Sequence, residues 1–421
     1  MTSWKQLIMT FISVVLLYFV EDVSAVFLNQ SDEFRLVKTL FGNYNFSSVR
    51  PVENNTKPVS VKFQMKLVRL VNVNSREMTL VTDVMIIQKW KNPFLTWDPK
   101  NYGGIKSIFA EPEDVWVPDT ALINNAESNF AGSRTKYKTM VVLSYDGLNT
   151  WMAPATFKSS CNFDVSTFPF DTQLCEMTFG SWTFTVNHMI LERLAEHDHF
   201  TDSHFDSGDW KVPSIKLDKP QEHDIAGKKY TRLTYRLQLE RKPVYFIIYL
   251  IVPSVLISLL VLFSFKIPVD SGERIGLCTT ALLAMSVFLL LIGEHLPESS
   301  ENLPLLAIAS VLMMIMITFG FLATIIVLKC HHNDTKPPKL LRILCCVKAH
   351  DSSTTRVDTN DEDPDYSTID KQAVEGYEQE WKDISRTMDK IFFYLFVSIL
   401  LGTLTGVYLM APLIVKLERN L

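Results

Sequence analysis

Glu273, Gly276, Thr280, Leu283, Val287, Leu290 and Glu294 succeed one another at steps of three and four, and they carry the most restrictive chemistry in the chain. On a helix those steps put all seven on one stripe. The stripe runs from a carboxylate through small and hydroxylated positions to three bulky apolar ones, and ends on a second carboxylate. Between positions 273 and 294 lies about 31 Å of helix, so the two acids would sit at opposite faces of a hydrocarbon layer about 30 Å thick. Repeated around an axis, rings of carboxylate at both mouths would concentrate cations and repel anions. The apolar rings between them would stop conduction by excluding water when narrow. On a single helix the same stripe has a second explanation, packing against a neighbouring helix.

Catalytic chemistry has no comparable set of residues. The sequence contains no nucleophile with a paired base, no phosphate-binding loop and no metal motif, so neither an enzyme nor a cofactor is expected. His188, His197, His199, His204 and His223 lie among acids, which leaves metal binding or pH sensing as an alternative, but their spacing matches no tight zinc site and no metal is assigned. The net charge of −5 over 421 residues averages unlike parts, and no basic tail points to nucleic acid.

The elements that must position the stripe are four apolar runs, Val244 to Phe265, Ile275 to Ile292, Leu303 to Leu328 and Ile391 to Val415. Each is long enough to cross most or all of a bilayer as a helix that satisfies its own backbone. Lys5, the apolar run from Leu7 to Val20 and the pair Ser24-Ala25 read as a cleaved signal peptide over 1–25. The alternative, a fifth membrane helix, suffers from a run shorter than the ~20 residues of a span.

A cleaved signal followed by four spans predicts a plasma-membrane, multi-pass chain with both mature ends outside. The expected divisions are an extracellular domain over 26–242, three spans over 243–328, a cytoplasmic segment over 329–390, and the fourth span with a short outer tail over 391–421. Lys329, Lys336, Lys339, Arg342 and Lys348 beside the third span agree with the positive-inside tendency. The acidic stretch from Asp351 to Asp365 is expected to be disordered, and a helix from about Ser367 to run into the fourth span. Sequons at Asn29, Asn45 and Asn54 would be glycosylated on an exposed surface. Of the six cysteines, only Cys161 and Cys175 fall in the oxidising compartment, which predicts that they pair. Cys345-Cys346 are either palmitate acceptors or plain thiols.

The loop from Cys161 to Cys175 contains Phe168-Pro169-Phe170-Asp171. It resembles the signature of the Cys-loop receptors, the pentameric ligand-gated ion channels, and most closely their cation-selective nicotinic acetylcholine and serotonin-gated branch. Trp116-Val-Pro118-Asp119, Phe179-Gly180-Ser181-Trp182, Arg241-Lys-Pro243 and Asp270-Ser-Gly272-Glu273-Arg274 follow in the family's order. The resemblance implies an extracellular all-β sandwich of about ten strands and a transmembrane four-helix bundle, five identical or related subunits around an axis, and agonist sites between subunits. Alternation in Val59 to Leu70 and Leu233 to Leu239 independently predicts strands. Anion-selective members carry proline and alanine near the inner mouth, where this chain has Gly272-Glu273, so the expected permeant ions are monovalent cations, with calcium a further candidate.

By the same resemblance, Trp182 and Tyr230 are expected walls of an aromatic agonist box. Ile123 stands where nicotinic subunits usually place tyrosine, Met85 near the position often held by tryptophan, and Met152 joins Met85 among the ligand-face candidates. His223 lies on a loop without an adjacent cysteine pair. The incomplete box argues against acetylcholine and leaves the identity of the small-molecule agonist open, with an accessory subunit that binds no agonist alone as the alternative. Coupling residues implied by the family are Phe168, Pro169, Phe170, Arg241 and Pro297, with the turn near Arg76-Glu77. Membrane lipids complete the expected partners.

Overall fold

The computed structural model describes Trp4 and residues 31–44, 47–128, 136–194, 207–294, 303–345 and 366–406. The signal-like segment, Asn29, Asn45, His197, His199, His204, Pro297, Cys346, the acidic stretch 351–365 and the tail beyond 406 lie outside the described residues, Trp4 apart. Two compact units emerge. The first takes most of the chain up to Leu239, and the second gathers Ser75–Glu77, Phe163–Gln173 and the chain from Glu240 onward.

In the first unit, helix α1 (Asp32–Asn43) precedes a β-sandwich. One sheet has six strands in the order β3 (Ser107–Ala110), β5 (Val141–Ser144), β6 (Leu148–Ser160), β2 (Thr79–Lys91), β1 (Val59–Asn74) and β8 (Met189–Arg193). The other orders β10 (Gln221–Ile225), β11 (Lys228–Arg241), β7 (Thr172–Ser181) and β4 (Thr120–Leu122), with β9 (Trp210–Leu217) also paired to β11.

Period-two patterning explains the layers. Leu233, Tyr235, Leu237 and Leu239 of β11 all point inward, as do Val84, Ile86, Gln88 and Trp90 of β2. Between the sheets, Phe63 meets Phe179 at 5.0 Å and Tyr235 at 6.4 Å, and the Met65 amide donates to Tyr235 Oη at 2.9 Å. Aromatic pairs of this kind add about 0.5–1.5 kcal/mol beyond area burial. Cys161 and Cys175 form a disulfide with Cα atoms 5.2 Å apart.

In the second unit, α2 (Val244–Ser264), α3 (Glu273–Glu294), α4 (Leu305–His331) and the long α6 (Tyr366–Leu404) pack together, with the short α5 (Lys339–Leu344) between α4 and α6 in the chain. All four long helices contain stretches long and apolar enough to cross a membrane. Helix α2 makes a π turn at Ile247–Ile251. Pro253, which lacks an amide and crowds the carbonyl four residues back, lies just beyond it, and wider winding relieves that conflict.

Buried hydroxyls bond within their own helices: Ser258 Oγ donates to Ser254 O, Ser310 Oγ to Leu306 O and Thr324 Oγ1 to Gly320 O. They therefore enter an apolar core without an unmet polar group. Gly320 permits close helix approach, since a Cβ there would stand 2.7 Å from Val261 Cγ1. Helix α6 is continuous through the expected start of the fourth span, and its described part ends at Leu404. Cys345 is buried with Trp381 and Ile384, which removes it from the palmitate acceptors considered above.

Candidate functional site

Gly272 adopts φ of 70°, a left-handed conformation that favours glycine, and turns the chain into α3 with Glu273 in the first helical turn. A carboxylate there also suits the positive end of the helix dipole. All seven stripe residues, Glu273, Gly276, Thr280, Leu283, Val287, Leu290 and Glu294, are exposed. The exposure is large even for the bulky apolar members: 66% for Leu283, 53% for Val287 and 74% for Leu290. Arg274, Cys278, Ala281, Met285 and Ile292 are buried, and at 100° per residue they lie on the opposite side of the helix. The structure thus assigns the packing role to a different face, and the stripe is left for something other than this bundle.

The core side of α3 is anchored at its base. Arg274 Nη1 and Nη2 donate to the two Asp389 carboxylate oxygens at 2.9 and 2.8 Å, while Nε donates to Ile267 O at 2.7 Å. This buried pair joins residues 115 positions apart and was invisible to motif reading. Charged groups are absent from the apolar lengths of α2, α4 and α6, from 244 to 264, 305 to 328 and 391 to 404. The outward face of α3, by contrast, begins and ends on carboxylates.

A second cluster surrounds Arg241. Its Nε donates to Asp171 Oδ1 at 2.7 Å, and its Nη2 donates to Asp171 Oδ2 at 3.1 Å and to Ser75 Oγ at 3.2 Å. The guanidinium carbon stands 4.9 Å from the Phe168 ring centroid and 5.3 Å from that of Phe246. Leu305 N donates to Ser166 O at 3.0 Å, tying the start of α4 to the same loop. Phe168, Pro169, Phe170 and Arg241 therefore lie within one unit, with Ser75 of the 75–77 turn. Asp171 and Ser75 were not singled out as coupling residues, although Asp171 is the last member of the Phe-Pro-Phe-Asp run.

The ligand-face candidates fall into two groups. On the five-stranded sheet, Asp119 accepts from Ser181 Oγ at 2.6 Å and from Thr183 N at 2.8 Å, bracing the residues either side of Trp182. Trp182 itself is 62% exposed and is not a core aromatic. Ile123 Cδ1 and Thr231 O both approach the point where a Gly180 Cβ would lie, at 3.4 and 3.3 Å, so Ile123, Gly180 and the residue after Tyr230 meet. Tyr230 pairs with His223 across the β10–β11 hairpin, where His223 is exposed.

Met85 and Met152 belong instead to the outward face of the six-stranded sheet, with Met85 opposite Pro154 and Met152 opposite Ile87. One copy of the chain does not bring the two groups together. Also on that face, the Thr156 hydroxyl and Arg69 hold the Asp83 carboxyl below its usual range, Thr156 contributing most. Burial pushes the Tyr137 phenol up, partly opposed by the Thr120 hydroxyl. Among the described residues, no three His, Cys, Asp or Glu side chains converge as a metal site.

Residues 33–243 match the neurotransmitter-gated ion-channel ligand binding domain, and residues 250–365 match the neurotransmitter-gated ion-channel transmembrane region. Similar proteins include the neuronal acetylcholine receptor subunit beta-3 of Gallus gallus, 31% identical over 89% of this chain and 92% of the relative. The neuronal acetylcholine receptor subunit alpha-5 of Homo sapiens is 33% identical over 87% of this chain and 84% of its own length. The acetylcholine receptor subunit alpha-1-B of Xenopus laevis is 37% identical over 74% and 68%. A β-rich unit, four apolar helices and matches to both family regions make this chain a member of the neurotransmitter-gated ion-channel family, a membrane channel subunit and not an enzyme.

Proposed function

We propose that α3 lines the pore of a cation-selective, ligand-gated channel, with Glu273 and Glu294 forming charged rings at its mouths and Leu283, Val287 and Leu290 the apolar constriction. The observation that carries this reading is the exposed stripe from Glu273 to Glu294, set opposite a buried face that already satisfies helix packing. In this reading both ends of the mature chain are extracellular, the turn between α2 and α3 is cytoplasmic, and monovalent cations permeate. The Arg241–Asp171 cluster with Phe168, Pro169 and Phe170 is the coupling element, and Pro297 belongs to the same assignment. The proposed boundaries are those of the sequence, with the β-rich part over 26–242 and the spans over 243–328 and 391–421.

The test is Glu273→Ala in cells, with reversal potentials measured in asymmetric salt. A shift toward anion permeability is expected. An unchanged reversal potential removes Glu273 from the filter.

The agonist site is proposed to form between copies, with Trp182, Tyr230, Ile123 and His223 on one side and Met85 and Met152 on the other. One exposed indole attracts a cation by only about 0.5–1 kcal/mol. Ile123, Met85 and Met152 add apolar contact instead of aromatic faces. That deficit favours a second reading, a subunit that supplies pore lining while a partner subunit completes the agonist face. Expression alone, with small amines, metals, pH and amphiphiles applied, separates the two: current supports an autonomous receptor, and silence despite surface protein supports the partnered form.

A further inference from the structure

The outward face of the five-stranded sheet carries an unmatched arginine where several of the ligand-face candidates meet. Cys175, Met177 and Phe179 of β7 point inward, so positions 178, 180 and 182 belong to the outward side. Gly180 has no side chain to cover that side. The point where its Cβ would lie is 3.4 Å from both Arg232 Cγ and Ile123 Cδ1, so the arginine stem and the isoleucine close over it. Tyr230 and Arg232 alternate with the buried Thr231 and Leu233, which puts both on the same side as Trp182.

Charge sets Arg232 apart from its neighbours. Further along the same face of β11, Arg236 meets Glu176 at 2.9 Å and Asp218 at 3.0 Å. The Arg232 guanidinium makes no ion pair among the described residues, and its partner across the β10–β11 hairpin is the neutral Gln221. Nearby acids are engaged elsewhere: Glu222 holds Lys229 at 3.2 Å, Asp224 accepts from Gly227 N, and Asp119 accepts from Ser181 and Thr183. The second candidate face, on the six-stranded sheet, is unbalanced in the same sense. Lys66 lies across from Met85, and Lys89 lies between Lys62 and Thr150, with Glu192 beside Lys62. Neither Lys66 nor Lys89 makes an ion pair among the described residues, whereas Asp83 is matched by Arg69 at 2.6 Å.

We propose that the ligand face takes a small organic carboxylate, bound by Arg232 of one copy and attracted by Lys66 and Lys89 of the next. This names the ligand class of the site proposed above and rests on that site for the second copy. A guanidinium offers a carboxylate two parallel donors, a geometry that an amine cannot use. A simple ammonium ligand would find an exposed indole and a surplus of like charge. Trp182, 62% exposed on the same side as Arg232, gives the rest of the molecule an apolar wall.

Saturation-transfer NMR on purified full-length protein in maltoside micelles, titrated with succinate, γ-aminobutyrate and tetramethylammonium, tests the assignment without requiring current. At least one of the two carboxylates should bind more tightly than tetramethylammonium. Arg232→Gln should weaken carboxylate binding about tenfold or more and leave tetramethylammonium binding equal or tighter. Arg236→Gln, which removes an arginine already matched by two acids, should bind carboxylates like wild type. Lys66→Gln/Lys89→Gln should weaken them by a smaller factor. If that double variant binds like wild type while Arg232→Gln does not, the carboxylate class stands and the two-copy site falls. The proposal is overturned if no carboxylate binds, if tetramethylammonium binds more tightly than both, or if Arg232→Gln binds carboxylates like wild type. It is also overturned if Arg236→Gln weakens them equally, because binding would then follow charge alone.

Discussion

Removing Arg241 should be among the most damaging single substitutions outside the sandwich core. The Arg241 and Asp171 side chains retain only 6% and 1% of their exposure, so neither charge is hydrated. In Arg241→Ala, the Asp171 carboxylate keeps one donor, Gln173 Nε2 at 2.7 Å. Breaking a buried pair from one side costs about 3–5 kcal/mol, most of it the stranded charge. Arg241→Ala/Asp171→Asn removes that charge as well and should recover a large part of the loss. Arg241→Lys keeps the charge but not the two-pronged geometry, and should fall between wild type and Arg241→Ala. Membrane assemblies do not unfold in a simple two-state manner, so the readout is the order of apparent melting temperatures of purified full-length variants. If Arg241→Ala melts with wild type, or the double variant melts below the single one, the stranded-charge argument fails.

Other consequences are as direct. Gly320→Leu inserts atoms where a Cβ alone would lie 2.7 Å from Val261, and should destabilise the bundle by about 1–3 kcal/mol; an unchanged melting temperature would contradict the close approach. Trp116→Ala empties a fully buried site and should cost about 3–5 kcal/mol, whereas Trp182→Ala, 62% exposed, should leave surface expression near wild type. Because Asp83 is held below its ordinary pKa, its stabilisation is fully present above about pH 4 and disappears as pH falls through its depressed value. The melting-temperature gap between wild type and Asp83→Asn should therefore close in acid. A gap that stays constant would mean that the Thr156 and Arg69 contacts do not act on the ionised carboxyl.

The strands and spans were legible because burial imposes a short period on the sequence. Leu233 to Leu239 alternates inward and outward, and 273 to 294 repeats at helical steps, so each discloses its element and face. Long-range partners leave no such period. Asp171 and Arg241 are 70 positions apart and Arg274 and Asp389 are 115 apart, and nothing local in either arginine's surroundings names its acid. Trp182 was ambiguous for a related reason. Position 182 follows β7 and shares the outward parity of Leu174, Glu176 and Thr178, but a tryptophan there also suits a core, and the Asp119 brace on Ser181 and Thr183 holds the chain where the indole is outside. The π turn in α2 was also missed, since Pro253 signals a disturbed helix without saying how the chain absorbs it.

The apolar residues on the exposed stripe of α3 connect packing to gating. The described bundle leaves Leu283, Val287 and Leu290 more than half exposed. In the proposed pore they shield one another from water only when the ring is narrow, so opening requires rewetting them. Leu283→Thr keeps the branched shape in part but lowers the rewetting cost by about 1 kcal/mol or more per copy, from the apolar area removed. One altered copy in an assembly should then favour the open state about fivefold, and five altered copies more than a thousandfold. Resting conductance and the agonist activation curve, recorded with one and with all copies substituted, would test the reasoning and count the copies together. If the altered channels rest and activate like the wild type, the apolar ring at Leu283 has no part in closing the pore.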